Sequence, residues 1–465
     1  MKVYFLGIAG AGMSALASVL ASEGHEVSGS DGAVYPPVST YLDRLGVPYH
    51  TGFDASLVPD GLDAAVIGSS AALGLADNPE LAELIRRGVP RYSFAEYLAV
   101  HTKGRENIVI AGSFGKSTLT AMCAVLLTEA GRDPGYFIGA VPLDLPTTGH
   151  AGTEPTFLIE GDEYIVSAED RRSKFELYHP DHALISSLVH DHVNVFPTIE
   201  SYEAPFEKLV RLVPEDGLLV CAHAHPALHR ITAGREVVWY GLDPCPGYFA
   251  EDVRIGEITR FDLRTPSGES IPLETELLGL HNIENIVGAS ALLLERGLID
   301  AQALVRAVPK FRGVARRLDK KTRRSSAPVY EGFGSSYEKA RSAIEAMQLH
   351  FPGRRLVVVF EPHTFSWRNE DALVWYDTVF EGVDEVLLLP PPGHGADSHH
   401  QLSQDRIIAR ITAAGIPARP VAGRQEVLDA LDAGLTGEEA ILLLSSGPLD
   451  GLVEALPPIL DTRFG

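Results

Sequence analysis

Four short stretches of the chain carry residue types that could act on phosphate. The first, VIAGSFGKSTLTAMCAVLL at 109–127, passes from apolar residues through Gly112-Ser113-Phe114-Gly115 to Lys116-Ser117 and an apolar helical run. A strand, a glycine loop and a helix in that order offer backbone N–H groups to phosphate oxygens, a lysine to the β/γ charge and a hydroxyl to Mg²⁺. The general pattern has glycine five residues before Gly115, where this chain has Ile110, so the loop is a variant of it. The second stretch, FLIEGDEY, ends an apolar run in Glu160, Asp162 and Glu163, and a hard cation on a triphosphate needs such oxygen ligands. The third, LISSLVHDHVNVF, places His190, Asp191 and His192 after another apolar run, where a histidine is as often a capping or core residue as a ligand. The fourth, GIAGAGMSALA, has Gly10, Gly12 and Ala15 in G-x-G-x-x-A spacing, with Asp31 near the end of the next strand. Alone it reads as a dinucleotide or diphosphate loop, or as a tightly packed turn.

These residues need elements to position them. Periodicity predicts a strand at 2–7, a helix at 13–23 and strands at 25–29 and 64–70, which is a βαβ beginning. After the polar segment 100–107 come a strand at 107–111, a helix at 116–130, strands at 156–160 and 182–187, a helix at 200–212, a strand at 217–221 and a helix at 281–297. The pattern restarts with VYEGF, RRLVVVFEPH, VDEVLLLPPP and AILLLSS. The fold class is therefore α/β, in three domains: a Rossmann-like domain at 1–103, a central mostly parallel sheet of phosphate-loop type at 104–313, and a second Rossmann-like domain at 314–465. A length of 465 residues suits three domains of about 100 to 200 residues each.

A net charge of -23 without a Lys/Arg stripe argues against a nucleic-acid partner. Three cysteines cannot build a disulfide framework, which fits a reducing compartment. No run of about 18 apolar residues suggests a membrane span. The opening MKVYFLGIAGAGMSALASVLAS mimics a secretory signal, but Gly7, Gly10 and Gly12 fall where the helical centre of a signal belongs, so a cytoplasmic protein is expected. One basic cluster, Arg171, Arg172 and Lys174 in DRRSKF, either meets carboxylates of a substrate or is a solvated loop balancing Glu169, Asp170 and Glu176. His223 and His225, and the histidines from His394 to His400, lack zinc spacing and read as ordinary loop residues.

In this order the pieces resemble the Mur ligases, three-domain ATP-dependent enzymes that join a carboxylate on a UDP-sugar precursor to an amine in peptidoglycan synthesis. The resemblance covers nearly the whole chain. GSDGAVYPPVST, GYFIGAVP, IEGDEY, DRRSKFELYHP and HDHVNVFPT carry it. They are most similar to the branch that attaches L-Ala-γ-D-Glu-meso-diaminopimelate to UDP-N-acetylmuramate during recycling. The resemblance implies that Gly10, Gly12, Ser30 and Asp31 face the UDP-sugar, and that Gly112, Gly115, Lys116, Ser117 and Thr118 hold ATP and Mg²⁺. It implies Glu160 and His192 as ligands of two metal ions, Asn282 and Asn285 near adenine, and Arg316 near the phosphates. His363 then lies on the amine side, and Arg171 and Lys174 would take carboxylates of the tripeptide. It implies a monomer or weak homodimer.

Three segments depart from the family pattern. Thr-His between the phosphate-loop glycines is Ser113-Phe114, and Asn-Asn-Leu-Glu before the Asp-His pair is Ser186-Ser187-Leu188-Val189. Where the family has two aspartates and, further on, two histidines, the chain has Glu331, Gly332, Ser335 and Ser336. Rival readings are the same chemistry on another pair such as UDP-N-acetylmuramate and L-alanine, a non-catalytic nucleotide-sugar sensor, and a dehydrogenase.

Overall fold

The computed structural model describes residues 1–34, 38–69, 73–167, 170–192, 195–393 and 401–465. The histidines from His394 to His400, and Glu169, lie outside the described residues. The chain divides into two compact units, one of Met1–Asp252, Phe261–Glu274 and Ile283–Val314, the other of Val253–Arg260, Thr275–Asn282 and Ala315–Gly465.

Three sheets organise the chain. The first contains β1 (Lys2–Leu6), β2 (Glu26–Asp31), β3 (Tyr49–Thr51), β4 (Ala64–Ile67) and β5 (Arg91–Ser93) in the order β3-β2-β1-β4-β5, all parallel. The second has ten strands: β6 (Glu106–Ala111), β7 (Gly135–Phe137), β8 (Gly149–His150), β9 (Thr156–Glu160), β10 (His182–Ile185), β11 (Leu219–Ala222), β12 (Val238–Gly241), β13 (Tyr248–Arg254), β14 (Thr259–Arg264) and β15 (Ser270–Thr275). Their order is β15-β14-β13-β12-β11-β10-β6-β9-β7-β8. The third sheet, of β16 (Arg317–Lys320), β17 (Val329–Gly332), β18 (Leu356–Phe360), β19 (Glu385–Leu388), β20 (Ala418–Pro420) and β21 (Ala440–Leu444), runs β16-β17-β21-β18-β19-β20 and is parallel except at β16.

The apolar runs expected as strands are strands. β10 stops at Ile185, two residues before the expected end, because Ser186 and Ser187 leave the sheet to meet the phosphate loop. The expectation missed β3, β5, β7 and β8, each three residues or fewer, too short to show a period. It also passed over β12 to β16 and β20. The helix Lys116–Glu129 is buried from Ser117 to Leu127 and so lacks a polar stripe. In the first sheet's unit, the helix Ala11–Ser22 comes so close to β8 that a Cβ on Gly149 would stand 2.1 Å from the Ala15 carbonyl oxygen. Ser18 Oγ donates to the Gly149 carbonyl at 2.6 Å. Gly149 is thus the residue whose smallness this close packing requires. In the other unit, Trp367, Phe360 and Tyr376 fill one face of the third sheet, and Val357, Leu443 and Leu452 the other.

Candidate active site

Strand β6 delivers its chain end into the phosphate loop at the C-terminal edge of the second sheet, where ligands of open α/β sheets bind. Gly112 has φ +138° and Gly115 φ +83°, conformations closed to most side chains. Space excludes side chains as well: a Cβ on Gly112 would lie 2.2 Å from Ser186 Oγ, and one on Gly115 3.0 Å from Asn285 Oδ1. Gly115 caps the helix without a side-chain hydrogen bond, so the positive end of the helix dipole faces the loop. This cradle fits the phosphates of a nucleotide.

Lys116 Nζ donates to the Gly112 carbonyl at 2.7 Å and lies 2.9 Å from Glu163 Oε2. Glu163 is fully buried, and its Oε1 lies 3.4 Å from His192 Nε2 and 3.2 Å from the Tyr202 hydroxyl. One carboxylate therefore binds together the loop lysine, the histidine of the Asp-His pair and the helix Ile199–Leu212. The hydrogen bond to Glu163 raises the pKa of His192, which adopts φ +53°. Burial and the neighbouring Glu163 push the Tyr202 phenol well above its usual value.

Ser117 Oγ donates to Glu160 Oε1 at 2.7 Å, and Glu160 Oε2 accepts the Gly139 N–H at 2.6 Å. A hydroxyl and a carboxylate facing each other beside the phosphate cradle form a hard-oxygen donor set, which fits Mg²⁺. His192, the other expected metal ligand, is turned to Glu163. Among the described residues no three His, Cys, Asp or Glu side chains converge as a metal cage. Thr118 follows in the first helical turn and is buried.

The two departures from the family pattern in this region contact each other. Ser113 Oγ donates to the Val189 carbonyl at 2.7 Å and accepts the Val189 N–H at 2.8 Å. The Phe114 N–H donates to Ser187 Oγ at 2.9 Å, and Ser186 Oγ donates to the Phe114 carbonyl. Phe114 itself is 60% exposed.

Among the described residues, two of the three cations in DRRSKF have carboxylate partners. Lys174 Nζ lies 2.6 Å from Asp162 and faces the rings of Phe94 and Tyr164, and Arg172 pairs with Asp170 at 2.6 Å. Burial would raise the pKa of Asp162, but Lys174 outweighs it and the carboxyl is held below its usual value. Arg171 is exposed.

At the first sheet, Gly10 caps the helix Ala11–Ser22 without a side-chain bond, and a Cβ on Gly12 would press on the Phe94 ring at 3.1 Å. Asp31 Oδ2 accepts the Ala9 N–H at 2.9 Å, and the Ser30 carbonyl accepts those of Gly7 and Ile8. Ser30 is fully buried, with its hydroxyl on Glu80. The structure thus gives Ser30 and Asp31 the task of holding the glycine loop. Nothing local in the sequence singles out Glu80 or Tyr202, whose partners are distant in the chain. Glu163 stood among the three candidate carboxylates, but not among the residues assigned a role.

In the other unit, Arg316 has φ +65°, and its guanidinium reaches Glu331 at 3.2 Å and the carbonyls of Gly447 at 2.9 Å and Ser445 at 3.3 Å. It also covers the Phe333 ring at 4.9 Å. His363 Nδ1 is 3.7 Å from Glu361, whose carboxylate accepts from Ser445 Oγ at 2.7 Å. Asn282 is buried and donates to the Leu278 carbonyl at 2.8 Å.

Two family models match, "Mur ligase family, catalytic domain" over residues 2–106 and "Mur ligase middle domain" over residues 110–293. The UDP-N-acetylmuramate–L-alanine ligase of Roseiflexus sp. is 31% identical over 408 residues, which are 83% of this chain and 84% of the relative. The UDP-N-acetylmuramate–L-alanyl-γ-D-glutamyl-meso-2,6-diaminoheptandioate ligase of Escherichia coli is 29% identical over 405 residues, 84% of this chain and 85% of that one. Among solved structures, the UDP-N-acetylmuramate–alanine ligase of Thermotoga maritima superimposes with a TM-score of 0.77 at 22% identity, covering 100% of this chain and 98% of its own. The murein peptide ligase of Neisseria meningitides gives 0.61 at 30% identity, over 68% of this chain and 99% of that one. With its phosphate loop, strand-end carboxylates and three α/β sheets, the chain belongs to the Mur ligase family of ATP-dependent amide ligases.

Proposed function

We propose that the protein joins the amine of L-Ala-γ-D-Glu-meso-diaminopimelate to the carboxylate of UDP-N-acetylmuramate at the expense of ATP. Gly112–Thr118 receive the ATP phosphates, and the loop Gly7–Gly12 receives the UDP-sugar. A substrate carboxylate oxygen attacks the γ-phosphorus and ADP leaves; the amine then attacks the acyl carbon and inorganic phosphate leaves. Lys116, held on the Gly112 carbonyl and Glu163, neutralises charge on the transferred phosphoryl group. Ser117 and Glu160 would hold Mg²⁺, and His192 would have to leave Glu163 to serve a second ion. Bound there, the metal supplies Lewis-acid charge neutralisation and a template for the phosphates.

The observation that carries the peptide reading is Arg171, the exposed cation of a basic segment beside the site whose Arg172 and Lys174 already pair with Asp170 and Asp162. A tripeptide brings several carboxylates to such a segment and L-alanine brings one. The likeness to the murein peptide ligase of Neisseria meningitides agrees with it. The L-alanine reading is favoured by the Roseiflexus relative. Phosphate release with ATP, Mg²⁺ and UDP-N-acetylmuramate is expected to be faster with the tripeptide than with L-alanine. Changing Arg171 and Lys174 to alanine is expected to raise KM for the tripeptide far more than for ATP. A preference for L-alanine makes the protein an alanine-adding ligase, and no release with either amine means a different substrate pair.

A further inference from the structure

Glu80 lies in the first turn of the helix Pro79–Arg86, which Asn78 caps by accepting the N–H groups of Glu80 and Leu81. Its side chain is fully buried, and each carboxylate oxygen takes two donors. Oε2 accepts from the Tyr4 hydroxyl at 2.9 Å and the Ser30 hydroxyl at 2.5 Å. Oε1 accepts from His50 Nε2 at 2.7 Å and the Asp54 N–H at 2.9 Å. A carboxylate withdrawn from water is costly unless it is fully partnered, and these four donors partner it.

Three of the four donors come from adjacent strands. Tyr4 is on β1, Ser30 on β2 and His50 on β3, and Ser30 pairs in register with Leu6 on one side and His50 on the other. They gather at the edge where the glycine loop leaves β1. Ser30 is the joint, since its hydroxyl hangs on Glu80 while its carbonyl accepts the N–H groups of Gly7 and Ile8. Asp31, the next residue, accepts that of Ala9. Three successive N–H groups of the loop are thus held by two consecutive residues, the first of which hangs its hydroxyl on the buried carboxylate.

We propose that Glu80 is a positioning residue for the UDP-sugar site: it fixes Ser30 and Asp31, and through them the path of Gly7–Gly12, without touching the substrate. This rests on the assignment of that loop to UDP-N-acetylmuramate. The role accounts for the Ser30 hydroxyl being spent on Glu80.

The test measures UDP-N-acetylmuramate binding by calorimetry, KM for it and for ATP, and melting temperature, in the full chain and in the variants Glu80→Gln, Ser30→Ala and both together. Glu80→Gln is expected to weaken UDP-sugar binding about tenfold, as loss of a supporting contact typically does. KM for ATP should stay within about twofold. Ser30→Ala, which removes one hydrogen bond and should fold even if Glu80→Gln does not, is expected to weaken binding in the same direction and to add nothing in the double variant. Unchanged UDP-sugar affinity in both single variants, with or without a lower melting temperature, overturns the proposal and leaves Glu80 a purely structural role. Additive effects overturn it also, because Ser30 would then act independently. If the unaltered protein binds ATP but not UDP-N-acetylmuramate, the loop assignment itself fails, and the positioning role falls with it.

Discussion

Lys116 answers to two partners, the phosphate it is proposed to meet and the buried Glu163 beneath it. Replacing it by alanine is expected to lower turnover about a hundredfold or more. Stability should suffer too, because the buried Glu163 would lose its lysine partner and keep, among the described residues, His192 as its ion-pair neighbour. The double variant Lys116→Ala/Glu163→Gln, which removes the stranded charge, is therefore expected to regain much of the lost melting temperature and none of the lost turnover. Phosphate-release assays and thermal melts on the same preparations separate the two effects. Wild-type turnover in Lys116→Ala would remove the lysine from the reaction, and no recovery in the double variant would mean that Glu163 is not what the lysine stabilises. Lys116 was legible in the sequence, because glycine, lysine and serine sit together in it. Glu163 as its partner was not, since the two are 47 positions apart.

At the scale of elements, the phosphate loop and the segment after β10 act as one piece. Ser113, Phe114, Ser186 and Ser187 all differ from the family pattern, and they bond to one another across that gap. A double-mutant cycle of Ser113→Ala and Ser187→Ala is expected to show a coupling of about 0.5 to 3 kcal/mol in stability. KM for ATP should rise in each single variant. Simple additivity would mean that the two segments departed from the pattern independently. The elements themselves were legible where they are long. β6, β9 and the helix Lys116–Glu129 lie within a residue of their expected bounds, because burial on all sides writes a continuous apolar run. The three-residue β3 and β5 leave no such trace, since they are strands only by virtue of their neighbours.

At the scale of the whole molecule, each compact unit has an apolar core of its own, around Tyr4, Ala65 and Leu84 in one and on both faces of the third sheet in the other, and such chains unfold in more than one step. Calorimetry is expected to resolve two transitions. MgATP at a hundred times its dissociation constant should stabilise the unit holding the phosphate loop by about 2.7 kcal/mol. A single transition that MgATP leaves in place would count against the phosphate-loop assignment. The net charge of -23 would make a phosphate site a local exception in a repelling field, and the loop at Gly112–Lys116 offers glycines, a helix start and an anchored lysine for it. The sequence by itself determined the α/β class, the two glycine loops, the lysine and the strand-end acids, because the demands on those residues are local: a positive φ, a close backbone approach, an apolar run. Only the tertiary structure decided which carboxylate holds Lys116, that Ser30 turns to Glu80, and that two of the three DRRSKF cations are already paired. A buried charge takes whatever donors the fold brings to it, and in this chain those donors lie tens of residues away.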